Sequence, residues 1–326
     1  MRVLVTGATG FVGRHLAAAL AADGERVRAL ARPGSGASGL ERLGVEVVRG
    51  DVTDPEAVSR AARDCRHVYH LAALTPRPGV GRREYLWVNT EGTKAVGLAC
   101  LRAGVERLVY ASSSGVYGVV RRPPVDERSP TNPTSGYRES KLRGEEALRA
   151  LREREGLGFV AARLPGVIGR GSLSWLGLVR AVATGRFRLI GPGENYDHTC
   201  DVADTVEGLR LCARTPGADG ECYLLADSRP VKVKRLVELI ARELGLPAPS
   251  RRPLPAAPYR AFNALGELLY KTARVELPGV YRYSIFLAEK VLVTSKAERE
   301  LGFRAKVPVE ESVRATVGWY KEEGYV

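Results

Sequence analysis

The sequence predicts an α/β protein: a doubly wound parallel sheet with a smaller C-terminal α/β domain. Three observations predict it. Short β-branched and aliphatic runs alternate with helical stretches over residues 2–164, glycines crowd the turn between the first run and the first helix, and beyond Pro165 the alternation loosens into shorter helices and proline-broken connections. Strands that alternate with helices imply parallel β-α-β units, because a parallel partner is reached only by a crossover.

The elements follow in order. Arg2–Thr6 reads as a strand and the alanine-rich Phe11–Ala22 as a helix. Strands are expected at 27–31, at 45–49 before Gly50-Asp51, at 67–71, at 108–112 and at Phe159–Leu164, with helices at 54–63, 88–103 and Gly136–Glu155. The connection 121–135 is rich in proline and serine, as surface loops are. Later helices are expected near 174–184, 202–213 and 234–244. Residues 1–165 are therefore read as the sheet domain and 166–326 as mainly substrate-facing, with parts of about 195–227 returning to the sheet.

Composition bounds the function. With 326 residues, 44% hydrophobic and 27% charged, the chain is globular, which excludes disorder, collagen and coiled coil. No apolar run approaches the roughly 20 residues of a membrane helix, and the N-terminal stretch is too short for a signal peptide, so a cytoplasmic protein with no membrane span is expected. The five scattered cysteines include no C-x-x-C pair, so neither disulfides nor a metal is expected. The formal charge of +13 comes from 50 basic residues of which nine are lysine. The arginines are spread along the chain rather than bunched, which argues against nucleic acid as a partner. Glutamine is absent and there are four asparagines and one methionine, a depletion that fits a GC-rich or heat-adapted (thermophile) source.

The strongest local signal is Thr6-Gly7-Ala8-Thr9-Gly10-Phe11-Val12-Gly13, set between the first strand and the first helix. Glycines at spacing three let the backbone turn tightly and approach a pyrophosphate, while the helix N-terminus offers unpaired N–H groups. This is the pattern of a Rossmann-type dinucleotide site. The second strand ends Ala29-Leu30-Ala31-Arg32, with no acid at that end. An acid there would hold the ribose hydroxyls and an arginine accommodates a 2′-phosphate, so NADP is favoured over NAD, with Ser35 a weaker contributor. Tyr137 and Lys141 are four apart on a helix and share a face, where a cation favours the phenolate and suits the tyrosine to general acid-base work. Ser112-Ser113-Ser114-Gly115-Val116-Tyr117-Gly118 follows the fifth strand at the carboxyl edge of the sheet, where ligands bind.

With Arg163-Leu164-Pro165-Gly166-Val167-Ile168-Gly169 and the tail from Ser295-Lys296-Ala297 to Trp319-Tyr320, these motifs resemble the extended short-chain dehydrogenase/reductase family, the NAD(P)-dependent epimerase/dehydratase superfamily, over essentially the whole chain. The resemblance implies a catalytic Tyr137, with Lys141 lowering its pKa and binding the nicotinamide ribose. It implies that Ser113, 24 residues before Tyr137, bonds the reacting oxygen and that Asn89 braces the site. Gly7, Thr9, Gly10, Phe11, Val12, Gly13 and Arg32 would hold the cofactor, Asp51 and Val52 would meet adenine, Leu71, Ala72 and Ala73 would run along it, and Leu164, Pro165 and Val167 would meet the nicotinamide. Thr75, Ser114 and His198 would face substrate. A homodimer through helices 88–103 and Gly136–Glu155 is also implied.

Nucleotide-sugar members resemble one another in two arginines. Asp197 stands where the first belongs, and Tyr283-Ser284-Ile285-Phe286 where the second does, with Arg282 adjacent. His198 and the apolar segment 259–270 look more like the branch of 3β-hydroxysteroid dehydrogenases and dihydroflavonol reductases. The expected activity is thus interconversion of a secondary alcohol and a ketone on a small-molecule substrate. A nucleotide-sugar 4-epimerase or dehydratase and a non-catalytic dinucleotide sensor are the alternatives.

Overall fold

A computed structural model describes residues 1–280 and 286–326. Its centre is a parallel sheet of β1 (Arg2–Thr6), β2 (Arg26–Ala31), β3 (Glu46–Arg49), β4 (His67–His70), β5 (Arg107–Ser113), β6 (Phe159–Leu164) and a short seventh strand, Cys222–Leu224. The spatial order is Cys222–Leu224, β6, β5, β4, β1, β2, β3. Val3 lies opposite Val27 on one side and His67 on the other. These strands are covered on both faces, which is why β1, β5 and β6 read as near-continuous apolar runs rather than alternating ones. On one face Leu16, Leu20, Leu209 and Phe303 pack together; on the other, Val58, Cys100, Leu108 and Leu148 do.

The chain moves outward from β1 to β2 and β3 and then returns across β1 to β4, so the winding reverses between β1 and β4. The loops at that edge part there and leave a crevice. Beyond β6, helices Leu176–Ala183, Val233–Leu244 and Val309–Glu322 close around Trp175, Leu239, Val313 and Tyr320. Two small sheets join this part to the main one, Gly166–Ile168 with Thr199–Asp201 and Tyr196–Asp197 with Val231–Lys232.

Two expectations are revised. Residues 88–103 are not one regular helix: Leu86–Glu91 is a π-helical turn and Gly92–Arg102 is α-helical. The widened turn carries Asn89, whose side chain bonds Leu74 and Ser140 outside that helix. Segment 259–270 lies within the Ala256–Ala273 helix, which buries only Gly266, Glu267 and Tyr270 and contributes no residue to the main cleft. Its polar contacts brace the fold: Tyr270 donates to Glu139 Oε2 at 2.5 Å and Glu267 pairs with Arg121 and Lys271. The Arg282 to Ile285 expectation lies outside the described residues.

Candidate active site

A cleft of about 1590 Å³ opens at the carboxyl edge of the sheet. That exceeds the roughly 300–1,000 Å³ of a site for one small ligand, leaving room for a cofactor and a substrate together. Its floor is the glycine turn. Gly7 has φ +74°, and a Cβ added to it would meet Ala72 N at 2.6 Å. At Gly13 an added Cβ would overlap the Gly7 carbonyl oxygen. Both positions therefore admit only glycine, and the helix Phe11–Ala22 starts hard against the sheet. Gly10 caps it without a side-chain bond, and its first turn holds no acid, so its N-terminal N–H groups point at the cleft with their partial positive charge uncancelled. This cradle fits a dinucleotide pyrophosphate.

Thr9, Gly10, Phe11 and Val12 line that floor beside Gly7 and Gly13. Ala31 and Arg32, Asp51 and Val52, and Leu71 to Ala73 follow along the wall, and Leu164, Pro165 and Val167 close the opposite side. The Arg32 guanidinium makes no ion pair or hydrogen bond within the described residues, so it is available to an anion. Ser35 instead donates to the Arg32 carbonyl at 2.6 Å and does not line the cleft. Asp51 accepts from the Thr53 N–H and hydroxyl at 2.9 and 2.8 Å, which fixes its carboxylate just past the end of β3.

Ser113, Tyr137 and Lys141 line the same cleft. The tyrosine and lysine come from one face of Gly136–Glu155, whose N-cap Ser135 accepts from the Arg138 N–H. Tyr137 stands edge-on to the Tyr85 ring, 6.1 Å between centroids. The Lys141 ammonium lies 4.1 Å from the centre of the Tyr110 ring. Burial pulls this lysine down to about 7, while the Glu145 carboxylate one turn along the helix opposes the shift. A lysine so poised changes charge near neutrality.

Hydrogen bonding sorts the serines. Ser112 and Ser113 both line the cleft, but only the Ser113 hydroxyl is free to donate into it, its oxygen accepting from the Gly115 N–H at 3.0 Å. Ser112 donates to Glu145, whose carboxylate also receives Arg163 Nε at 3.0 Å and Nη2 at 2.7 Å. That buried ion pair stitches β5, β6 and the Gly136–Glu155 helix together behind Lys141. No sequence motif announced it.

Asn89 stands behind the cleft wall, 1% exposed. Its Oδ1 accepts from the Leu74 N–H at 2.7 Å, and its Nδ2 donates to the Leu74 carbonyl at 3.0 Å and to Ser140 Oγ at 2.9 Å. It is a clamp between the loop after β4 and the helix that carries Tyr137 rather than a group open to substrate. His70 is equally hidden: it bonds Thr6 Oγ1 at 2.7 Å and Thr93 Oγ1 at 2.9 Å, and burial together with the Lys141 charge drops it to about 3.

Of the three expected substrate residues, Thr75 lines the cleft and the other two do not. Ser114 is buried in the short turn Ser114–Tyr117. His198 is 1% exposed and committed to the backbone, bonding the Asp227 carbonyl at 2.9 Å and accepting from the Leu292 N–H at 2.9 Å. It pins two segments together. Asp197 is paired with Lys290 at 3.1 Å and does not line the cleft, so it exerts no net repulsion on an anion there. Arg77, Arg83, Trp87 and Leu173 line the mouth and were not anticipated from the sequence.

This geometry matches what comparison finds. A model of the NAD dependent epimerase/dehydratase family matches residues 3–226. A 4-hydroxy-2-methyl-3-oxo-4-farnesyl-3,4-dihydroquinoline-1-oxide ketoreductase of Stigmatella aurantiaca is 32% identical over 97% of this chain and 95% of its own. A 2-alkyl-3-oxoalkanoate reductase of Stenotrophomonas maltophilia is 30% identical over 96% and 98%. Among solved structures, a dTDP-glucose 4,6-dehydratase from Streptomyces venezuelae with NAD bound superposes with a TM-score of 0.80 at 25% identity, covering 100% of both chains. With the glycine cradle, the Tyr137/Lys141 helix and this match over more than half its length, the chain belongs to the NAD-dependent epimerase/dehydratase family of extended short-chain dehydrogenases/reductases.

Proposed function

We propose that the protein is an NADP-preferring oxidoreductase that interconverts a secondary alcohol and a ketone. The observation that carries this is the meeting of Ser113, Tyr137 and Lys141 in one cleft with the glycine cradle. Two relatives are named as reductases of ketones, which favours net reduction over epimerisation. The available Arg32 beside Ala31, with no acid at that strand end, supports NADP, with NAD the lesser fit.

Bound in the cradle, NADPH would supply the hydride that reduces the carbonyl carbon. Ser113 donates a hydrogen bond to the substrate carbonyl oxygen and polarises it. Tyr137 gives that oxygen its proton as the carbon is reduced, so the ketone gains a hydride and a proton and becomes the alcohol. Lys141, which changes charge near neutrality, is favoured as the cation beside a negative cofactor, and its charge then eases loss of the tyrosine proton. Asn89 and the Glu145–Arg163 pair hold the loop and helix that carry these groups. The protein would work as a cytoplasmic homodimer joined through the Gly92–Arg102 and Gly136–Glu155 helices.

The superposition on a dTDP-sugar dehydratase favours a second reading, a nucleotide-sugar epimerase or dehydratase with retained cofactor. Tyr137→Phe tests the shared chemistry. Turnover falls about 10²- to 10⁴-fold, the range of general acid-base catalysis, while NADPH affinity stays within a few-fold. Activity within tenfold of wild type removes the tyrosine from its role.

A further inference from the structure

Two arginines at the mouth of the cleft have no side-chain partner among the described residues. Neither the Arg77 nor the Arg83 guanidinium makes an ion pair or hydrogen bond there, although many other arginines of this chain are paired. Both line the cleft that holds Tyr137. The Arg77 N–H donates to the Tyr85 hydroxyl at 3.2 Å, and the Tyr85 ring packs against Tyr137, so a single aromatic ring separates the Arg77 backbone from the catalytic tyrosine. Arg83 lies one turn before Trp87 on the chain segment that continues into the π-helical turn.

Two carboxylates, Glu84 and Glu91, line the same cleft, but neither forms an ion pair with Arg77 or Arg83 among the described residues, so both guanidinium forks stay open to a ligand. Glu84 is spent on the Gly81 N–H at 2.9 Å, and Glu91 stands at the far end of the π turn, next to Gly92 where that glycine packs on Val52. The same mouth is apolar between the charges. Trp87 is 58% exposed and Leu173 56%, two of the largest apolar side chains left open to solvent on the described surface, and both line the cleft. Large apolar side chains exposed beside a site mark a ligand surface.

We infer that the mouth is a subsite for an anionic group on an otherwise apolar ketone: Arg77 and Arg83 bind a carboxylate a few bonds from the reacting carbonyl, and Trp87 and Leu173 cover the hydrocarbon chain. This rests on the alcohol–ketone reading of the same cleft. The guanidinium fork suits a carboxylate, and a cleft with low-dielectric walls focuses its field on an entering anion. A nucleotide sugar would also be attracted, its diphosphate by the arginines and its base by the indole face, which is why UDP-glucose is the control.

The test is steady-state reduction by NADPH of straight-chain oxododecanoates with the ketone at C3, C5 or C7, each beside its methyl ester, with UDP-glucose plus NAD⁺ or NADP⁺ as a control. Wild type is expected to favour at least one acid over its ester by about tenfold or more in kcat/KM. Arg83→Met and Arg77→Met reduce that preference toward unity by raising KM for the acid, with the ester and kcat nearly unchanged. Trp87→Ala lowers kcat/KM for acid and ester alike. Esters reduced as well as acids by wild type overturn the anion subsite and leave the ketone reductase standing, and so does an acid preference that survives both arginine variants. No oxidation of NADPH with any ketone, or interconversion of UDP-glucose, overturns the underlying reading and the subsite with it.

Discussion

At the scale of the residue, spacing carries chemistry only when it is local. Tyr137 and Lys141 were legible because four residues on a helix bring two side chains to one face whatever the rest of the fold does. The glycines were legible because close backbone approach leaves no room for a Cβ, as the overlaps at Gly13 and Gly7 make plain. Ser113 rather than its neighbours rested on the family's spacing, and the structure adds a reason, since the Ser112 hydroxyl is spent on Glu145. His198 misled: a histidine is equally good at joining backbones, and nothing local tells the two uses apart. His70 gives a measurable consequence of burial. Its pKa falls from 6.5 to about 3 on folding, so between those values the unfolded chain binds the extra proton and stability declines as pH drops through that window. His70→Gln is expected to flatten the loss, by up to about 1.4 kcal/mol per pH unit in urea unfolding followed between pH 7 and 4. An unchanged slope would mean that His70 is not held neutral.

Elements were legible in kind and nearly in extent. The Gly136–Glu155 and Phe159–Leu164 boundaries fall where periodicity puts them, and β2 and β5 extend only a residue or so further. The π turn was not legible, because the contacts of the Asn89 it carries are not local: one runs to Ser140, 51 residues away, and another to the loop at Leu74. The Glu145–Arg163 pair was hidden for the same reason, its partners lying on different elements. Asn89→Ala tests the clamp. It leaves the Leu74 N–H and carbonyl without partners, a cost of roughly 1–3 kcal/mol in stability. Because that loop runs on to Thr75 and Arg77, KM for substrate should rise more than NADPH affinity falls. If stability drops while KM for substrate is unchanged, the clamp serves the fold and not the site.

For the whole molecule, alternation of strand and helix predicted the sheet and its winding, and the winding predicted where the cleft would be. The seventh strand, Cys222–Leu224, is only three residues long and sits at the edge of the sheet, too brief to show a period. Substrate recognition was the least legible part, since the mouth is assembled from a loop after β4, the turn around Trp87 and the segment after Gly169, none of which carries a motif. No described helix is long and apolar enough to cross a membrane, and many of the scattered arginines are spent on pairs between elements, such as Arg28 with Glu46 and Arg210 with Asp23. The central claim is net hydride transfer to a carbonyl. It is tested most directly by supplying substoichiometric NADPH with an oxododecanoate in one vessel and substoichiometric NAD⁺ or NADP⁺ with UDP-glucose in another, and counting product per cofactor. One hydroxy acid formed per NADPH consumed is the predicted result; conversion of the sugar nucleotide in many-fold excess over the oxidised cofactor, with no net change in that cofactor, would contradict it.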